Sequence, residues 1–455
     1  CNIKKASFIY YREKIIYEGG FLMKRAIALG AGGARGAYQI GAWKALRELG
    51  VDYDIVVGSS IGSVNGVAMV QDDYDLALDL WKNISVDKIF AGDVDLDFEP
   101  QDIIGSTGKL VSLLIKILTN KGLDISPFLD LLNDIVDEEK VRASAREFGI
   151  VALRVPLIKG MEITKEKMKV GYMAKYILAS SSAFPVFPVC EVDGNKYIDG
   201  GYYDSLPINF ARNLGAEEVV AIDVSLSTTH EEELSSNDVI YIKSAWSLGP
   251  FLDFDNESIM RNMDLGYNDT MKAYGKYRGF RYTFLLNDEE SFNDVALALK
   301  KSIEKVDHEM NLQKYKRIRN ILNSKNLLDY IAKYTDNKEL SPYEYLLRAE
   351  EICAELFTQN PQEIYDFISL KDQLMSHFNN PRKVDYEKIF NNLSSIMSIM
   401  ELYEYIKQIS NEEIIASILY KLLDGQDIVS EMAKIAIIAP EAVISGLYLF
   451  EIAAL

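Results

Sequence analysis

Histidine and cysteine are both scarce in this 455-residue chain, with three of each. His230, His308 and His377 lie in polar or helix-surface contexts, far from any sequence with a catalytic look. Reaction schemes that need a histidine base therefore have few candidates. Cys1, Cys190 and Cys353 are too few and too scattered for a disulfide framework or a cysteine-rich zinc site, which fits a reducing compartment. Basic charge is in deficit. Lys and Arg total 49 against 68 Asp and Glu, a net charge of −19. That balance disfavours non-specific binding to nucleic acid or to anionic membrane and leaves room only for a local basic patch. No uninterrupted run of about 20 apolar residues exists, as a membrane-spanning helix would need. The most apolar stretch, Ile435 to Leu455, is broken by Pro440, Glu441 and Glu451. It reads as a buried core helix, with a membrane-touching helix as the sharper alternative. The acidic run from Asp93 to Glu99 lacks the sixth-position Gly and twelfth-position Glu of a calcium loop, so no metal is expected there.

What is present is ordinary globular material, 48% apolar and 26% charged. The length allows two to four domains. From Arg25 to about Ser227, short apolar runs alternate with helical stretches. Ala26–Leu29, Asp54–Gly58, Ile150–Pro156, Lys196–Asp199 and Val219–Val224 read as strands, and Gly36–Leu49 and Ile61–Gln71 as helices. This alternation implies an α/β domain with a mainly parallel sheet, whose active site lies beyond the carboxyl ends of the strands. Val239–Ile242 and Arg281–Leu286 read as further strands at the margin of that domain. After about Asp288 the pattern is helical to the end, clearest at Ser291–His308, Leu346–Thr358 and Glu412–Leu423.

Three places carry chemistry. Gly30-Ala31-Gly32-Gly33-Ala34-Arg35-Gly36 follows a strand and precedes a helix. Such a loop turns tightly and aims backbone N–H groups at one spot. A dinucleotide fingerprint would need glycine where Arg35 stands, and a P-loop would need a lysine that is missing. An oxyanion hole needs only two or three inward N–H groups, and a plain glycine turn is the bland alternative. Gly58-Ser59-Ser60-Ile61-Gly62 is G-x-S-x-G in the strand–turn–helix setting of a nucleophile elbow, with Ser60 at its centre and Gly58 and Gly62 beside the sharp turn. Asp199-Gly200-Gly201 ends a strand and reads either as an Asx turn or as an acid projecting into the same crevice. Together the three make an acyl-transfer site. Ser60 attacks an ester carbonyl, Asp199 takes its proton and returns it to the leaving alcohol, and N–H groups of Gly32, Gly33 and Ala34 hold the oxyanion, with Arg35 anchoring the loop. Asp204 is a lesser candidate for the base.

These residues, in this order and spacing, resemble the patatin-like phospholipase family. Asp124-Ile125-Ser126-Pro127, Ala179 to Pro185 and Asp199 to Pro207 are similar to its bacterial branch. The similarity covers about Met23 to Leu286. It implies a three-layer α/β/α fold, a Ser–Asp dyad without histidine, no cofactor, and hydrolysis of a glycerolipid or another acyl ester. The sparse cysteines and the net charge of −19 read as a cytoplasmic protein that does not bind nucleic acid, with peripheral membrane contact left open. Two positions depart from the family pattern: Ala31 stands where many members carry Gly, and Ser205 where members often carry Asn. The expected organisation is a patatin-like domain over 23–287 followed by a helical module over 288–455 of open role. A catalytically weak scaffold whose helical half recruits a partner is the alternative function. Residues 1–22 are expected to be translated upstream sequence: Glu18-Gly19-Gly20 corresponds to codons that can spell a bacterial ribosome-binding signal ahead of Met23, with a lipidated Cys1 as the alternative. The apolar helix pattern Val111–Leu118 reads equally as buried core or as a lipid-facing lid.

Overall fold

The computed structural model describes residues 23–92, 123–226, 230–312, 319–320, 322, 324–335, 340–378, 386–395 and 399–453. The expected upstream segment 1–22, the acidic run 93–99 and the lid pattern 111–118 lie outside those residues. The chain divides into two units, one reaching to Gly275 and the other starting at Lys276.

The first unit is built on a mixed sheet. Its elements in chain order are β1 (Arg25–Leu29), α1 (Ala37–Glu48), β2 (Ile55–Ser59), α2 (Ile61–Gln71), α3 (Tyr74–Lys82), α4 (Ser126–Ile135), α5 (Glu138–Ala143), β3 (Glu147–Val155), β4 (Lys159–Thr164), α6 (Met173–Ser180), β5 (Cys190–Val192), β6 (Asn195–Asp199), α7 (Ile208–Asn213), β7 (Glu218–Asp223), β8 (Val239–Lys243) and α8 (Asn256–Ala273). β8, β7, β1, β2 and β3 are parallel neighbours in that order. Their central members are near-continuous apolar runs, because a parallel strand is covered on both faces. The alternation shows which face each residue serves. Ile27, Leu29 and Val56 join the core beneath α1 and α2, while Ala26, Ala28, Ile55 and Val57 join a smaller core with Ile208 and Phe210 of α7. Helices on both faces make three layers, α/β/α.

β3 carries a division that matters for the site. Along one edge, β4 pairs antiparallel with Gly149 to Arg154. Along the other, β2 pairs parallel with Glu147 to Val151, ending at Ser59, and β6 then takes over antiparallel from Ala152, starting opposite Asp199. Two strands running in opposite directions thus meet end to end on one edge.

α1 and α8 cross at glycines. A Cβ on Gly41 would lie 1.7 Å from the Met263 carbonyl oxygen, and one on Gly266 would lie 1.9 Å from that of Tyr38. The close approach lets Asp269 accept a hydrogen bond from the Tyr38 hydroxyl at 2.8 Å.

The second unit contains β9 (Thr283–Phe284), α9 (Asn293–Met310), α10 (Leu327–Ile331), α11 (Pro342–Leu356), β10 (Ile364–Tyr365), α12 (Phe367–Ser376), α13 (Tyr386–Ser395), α14 (Ile399–Lys407), α15 (Asn411–Leu423), α16 (Val429–Ala436) and α17 (Pro440–Ile452). The Arg281–Leu286 strand expected at the margin of the α/β domain belongs here instead. β9 pairs with β10, two residues to each strand. The side chain of Glu351 fastens the approach to β9 by accepting N–H bonds from Phe280, Arg281 and Tyr282 at 2.7–3.0 Å, and Arg348 neutralises it at 2.9 Å. α17 is the buried core helix that the apolar C-terminal stretch suggested, with Val443, Ile444, Leu447 and Tyr448 enclosed. No helix among the described residues is long and apolar enough to cross a membrane.

The α1–α8 crossing gives a stability prediction. Gly266→Ala places a methyl group against backbone that cannot rotate away, so the helices must separate. A loss of about 1–3 kcal/mol is expected, read by denaturant unfolding followed by circular dichroism. Unchanged stability would show that the crossing is not tightly packed.

Candidate active site

The end-to-end meeting of β2 and β6 on β3 brings Ser60 and Asp199 together. Ser60 directly follows β2, Asp199 closes β6, and Val151 and Ala152 are their adjacent anchors on β3. The Ser60 hydroxyl donates to Asp199 Oδ2 at 2.5 Å. Both residues are buried, with 3% and 5% of their surface exposed.

The turn at Ser60 has φ 55° and ψ −125°, a conformation rare for any residue with a side chain. Neighbouring geometry over-determines it. The Ser60 carbonyl accepts from the Ser63 hydroxyl at 2.6 Å, and the Ser60 amide donates to Ser180 Oγ at 3.1 Å. Ser180 in turn donates to the Val151 carbonyl at 2.6 Å, which ties the elbow back to β3. The flanking glycines are required by space: a Cβ on Gly58 would sit 2.2 Å from the Gly62 carbonyl oxygen, and one on Gly62 would sit 2.3 Å from that of Leu29. α2 begins at Ile61, so the positive end of its dipole lies beside Ser60.

Asp199 is held on its other oxygen. Oδ1 accepts the Gly201 amide at 2.7 Å, the Asx turn that the Asp-Gly-Gly sequence suggested. Burial is the largest influence on this carboxyl and pushes its pKa up to about 6, against the opposing hydrogen bonds from Ser60 and Gly201. Asp204 is engaged elsewhere, 3.3 Å from His230 Nε2.

The glycine-rich loop lies against both motifs. The Ala31 methyl group is 3.0 Å from where a Cβ on Gly201 would be, and Ile61 crowds Gly36. Its amides have unequal roles. Gly30 donates to Ile222 O, Ala31 to Ser205 O, Ala34 to Phe251 O and Arg35 to Gly32 O. The amides of Gly32 and Gly33 donate to no acceptor among the described residues. Arg35 also folds back through Nε onto the Gly32 carbonyl at 3.0 Å, so its buried side chain braces the loop from within. Burial lowers the pKa of this guanidinium, and Asp223 works against that shift.

A buried polar chain supports the loop from below. Gln39 Nε2 donates to Gly30 O at 2.8 Å, Asn65 Nδ2 donates to Gln39 Oε1 and to Gly36 O, and Trp81 Nε1 donates to Asn65 Oδ1. The sequence reading did not single out Gln39, Asn65 or Trp81. Ser180 lay inside a stretch noted only for its likeness to the family.

Part of the chain is similar to known proteins. Residues 27–212 match the family model described as Patatin-like phospholipase. The chain carries a patatin-like phospholipase domain. It is 28% identical over 262 residues to "Lysophospholipase NTE1" of Saccharomyces cerevisiae, covering 55% of this chain and 14% of that protein. It is 30% identical over 206 residues to "Patatin-like phospholipase domain-containing protein 7" of Mus musculus, covering 44% and 13%. The chain therefore spans only a small part of the length of these curated relatives. Among solved structures, it aligns with VipD from Legionella pneumophila at 15% identity and a TM-score of 0.36, over 93% of this chain and 92% of that one.

The buried carboxyl makes a prediction for stability. Asp199 has a higher pKa in the folded domain than the 3.8 of a free side chain. The folded protein therefore binds the extra proton between about pH 4 and pH 6, and stability falls as pH rises through that window. Asp199→Asn removes this burden. The variant is expected to be more stable than the wild type at pH 7.5, by up to the order of 3 kcal/mol. The gap should close towards pH 4. Denaturant titrations at the two pH values check it, and a variant less stable at both would contradict the buried-charge account.

Proposed function

We propose that the domain is a lipid acyl hydrolase, a phospholipase A-type or related esterase, and that Ser60 and Asp199 form its catalytic dyad. The observation that carries the reading is the buried hydrogen bond from the Ser60 hydroxyl to Asp199 where the carboxyl ends of β2 and β6 meet on β3. The family of the domain and the lysophospholipase among its relatives support it. Asp199 accepts the Ser60 proton as Oγ attacks the ester carbonyl. The proton then passes to the leaving alcohol, and water repeats the sequence to free the acid. Desolvation strengthens the base at neutral pH, since a carboxylate held out of water gains more from accepting a proton.

The negative charge that develops on the carbonyl oxygen falls to the amides of Gly32 and Gly33. Ala34 joins them only if its amide leaves the Phe251 carbonyl, and Arg35 serves by bracing the loop. The dipole of α2 favours the same charge. No residue in this scheme is a histidine, and none calls on a metal or a cofactor. The physiological setting in this reading is cytoplasmic.

Three measurements test the scheme. A fluorophosphonate probe should label the wild type and leave Ser60→Ala unlabelled, and hydrolysis of a short-chain ester should fall at least about 10³-fold in Ser60→Ala. A folded wild type that resists the probe would favour the scaffold alternative. The pH profile of kcat/KM should rise with pH and level off above about 6, the value that burial gives Asp199. A rate that is flat from pH 5 to 8 would remove Asp199 from the role of base.

A further inference from the structure

Several of the large exposed hydrophobic side chains of the first unit fall between one hairpin tip and the Asp199 loop, apart from others such as Val170 and Leu226. The β3–β4 turn holds Leu157 and Ile158, which are 67% and 77% exposed. From that tip a line of exposed side chains leads back along the chain and across one ring contact towards Asp199. Lys159 and Gly160 follow the tip, and the Tyr203 ring lies directly over Gly160, where a Cβ would be 2.3 Å from it. Tyr202 and Tyr203 are each 57% exposed and stand three and four residues beyond Asp199. The Tyr202 hydroxyl donates to the carbonyl of Phe184, itself an exposed aromatic residue, at 2.7 Å. The band thus runs from the hairpin tip to the loop that carries the proposed base.

Its charge is opposite to that of the chain. Arg154 and Lys159 are cross-strand partners at the base of the turn, and Lys196 is the β6 partner of Val155. None of the three has an ion-pair partner among the described residues. Glu191, opposite Lys196 on β5, is the near acidic residue. In a protein of net charge −19, unpaired cations around an apolar tip form a distinct local surface. Apolar side chains flanked by Lys and Arg suit the interface of an anionic bilayer, where aliphatic groups enter the acyl boundary and cations meet phosphate.

We propose that this band is the membrane-docking surface of the domain: Leu157 and Ile158 enter an anionic phospholipid bilayer while Arg154, Lys159 and Lys196 hold its phosphates, bringing the Asp199 loop to the lipid. The proposal rests on the lipid-hydrolase reading for its purpose, but its test does not depend on turnover. Full-length protein carrying Ser60→Ala is sedimented with vesicles of phosphatidylcholine alone or of phosphatidylcholine with phosphatidylglycerol. Binding should favour the anionic vesicles. Leu157→Asp with Ile158→Asp should weaken it at least about tenfold. Arg154→Gln, Lys159→Gln and Lys196→Gln together should erase the preference for anionic lipid, at about fivefold for each charge removed. In otherwise wild-type protein, with Ser60 intact, hydrolysis of a soluble short-chain ester should be unaffected by the tip substitutions.

A tryptophan probe tests the same surface without adding charge: Leu157→Trp should shift its emission to the blue on anionic vesicles. Absence of that shift, or aspartate variants that fold and bind as well as their parent, overturns the proposal. Equal binding to both vesicle types overturns its electrostatic half. Probe labelling with no vesicle binding would leave the hydrolase standing and remove the docking surface. Vesicle binding without labelling would do the reverse.

Discussion

The hydrogen bond between Ser60 and Asp199 depends on strand register along β3. β2 and β6 share one edge of that strand, and the junction between them falls between Val151 and Ala152. A slip of one residue in either strand would turn its side chains to the other face of the sheet, and the pair would part. The core fixes the register. Val56 and Val57 of β2 face opposite cores, and Tyr197 of β6 is enclosed, so a shifted strand would expose apolar surface on one face and bury polar atoms on the other. The 139-residue separation of the two side chains is thereby closed by backbone pairing that the hydrophobic pattern enforces. The strained turn at Ser60 fits the same frame. A backbone outlier of this kind costs about 1–3 kcal/mol, and the bonds from Ser63 and to Ser180 hold it where the strand ends.

Much of this was legible in the chain, for reasons that differ by residue. Gly58 and Gly62 announce the elbow because only hydrogen fits where the turn presses against Gly62 and Leu29. Asp199-Gly200-Gly201 is visible because an Asx turn has its own local signature. The central strands announce themselves as apolar runs. Ser180, Gln39, Asn65 and Trp81 do not. Their partners are carbonyls and side chains brought close by tertiary folding, and nothing in the adjacent sequence records that. The same limit explains Arg281–Leu286. An apolar run says that a strand will form but not which strand it will meet, and its partner at Ile364–Tyr365 is too short to stand out. β4 was missed because Lys159–Thr164 is mostly half-exposed and so offers no apolar run.

The scarcity of histidine and the burial of Asp199 are connected through physical chemistry. A base for ester chemistry at neutral pH works best when its pKa lies near the working pH, which an imidazole meets unaided at about 6.5. An exposed aspartate, near 3.8, holds its electrons too weakly for that task. Removing it from water raises it to about 6 and closes most of the difference. The same desolvation opposes folding at neutral pH, so the carboxylate must be held by what remains: the Ser60 hydroxyl on one oxygen and the Gly201 amide on the other. Each bond lowers the pKa while burial raises it. The position of Asp199 is therefore a compromise. A third donor would make the carboxylate more stable and a poorer base, and loss of the Gly201 amide would make it a stronger base in a less stable domain. In the proposed scheme, two donors and nearly complete burial let an aspartate take the part that a histidine would otherwise play.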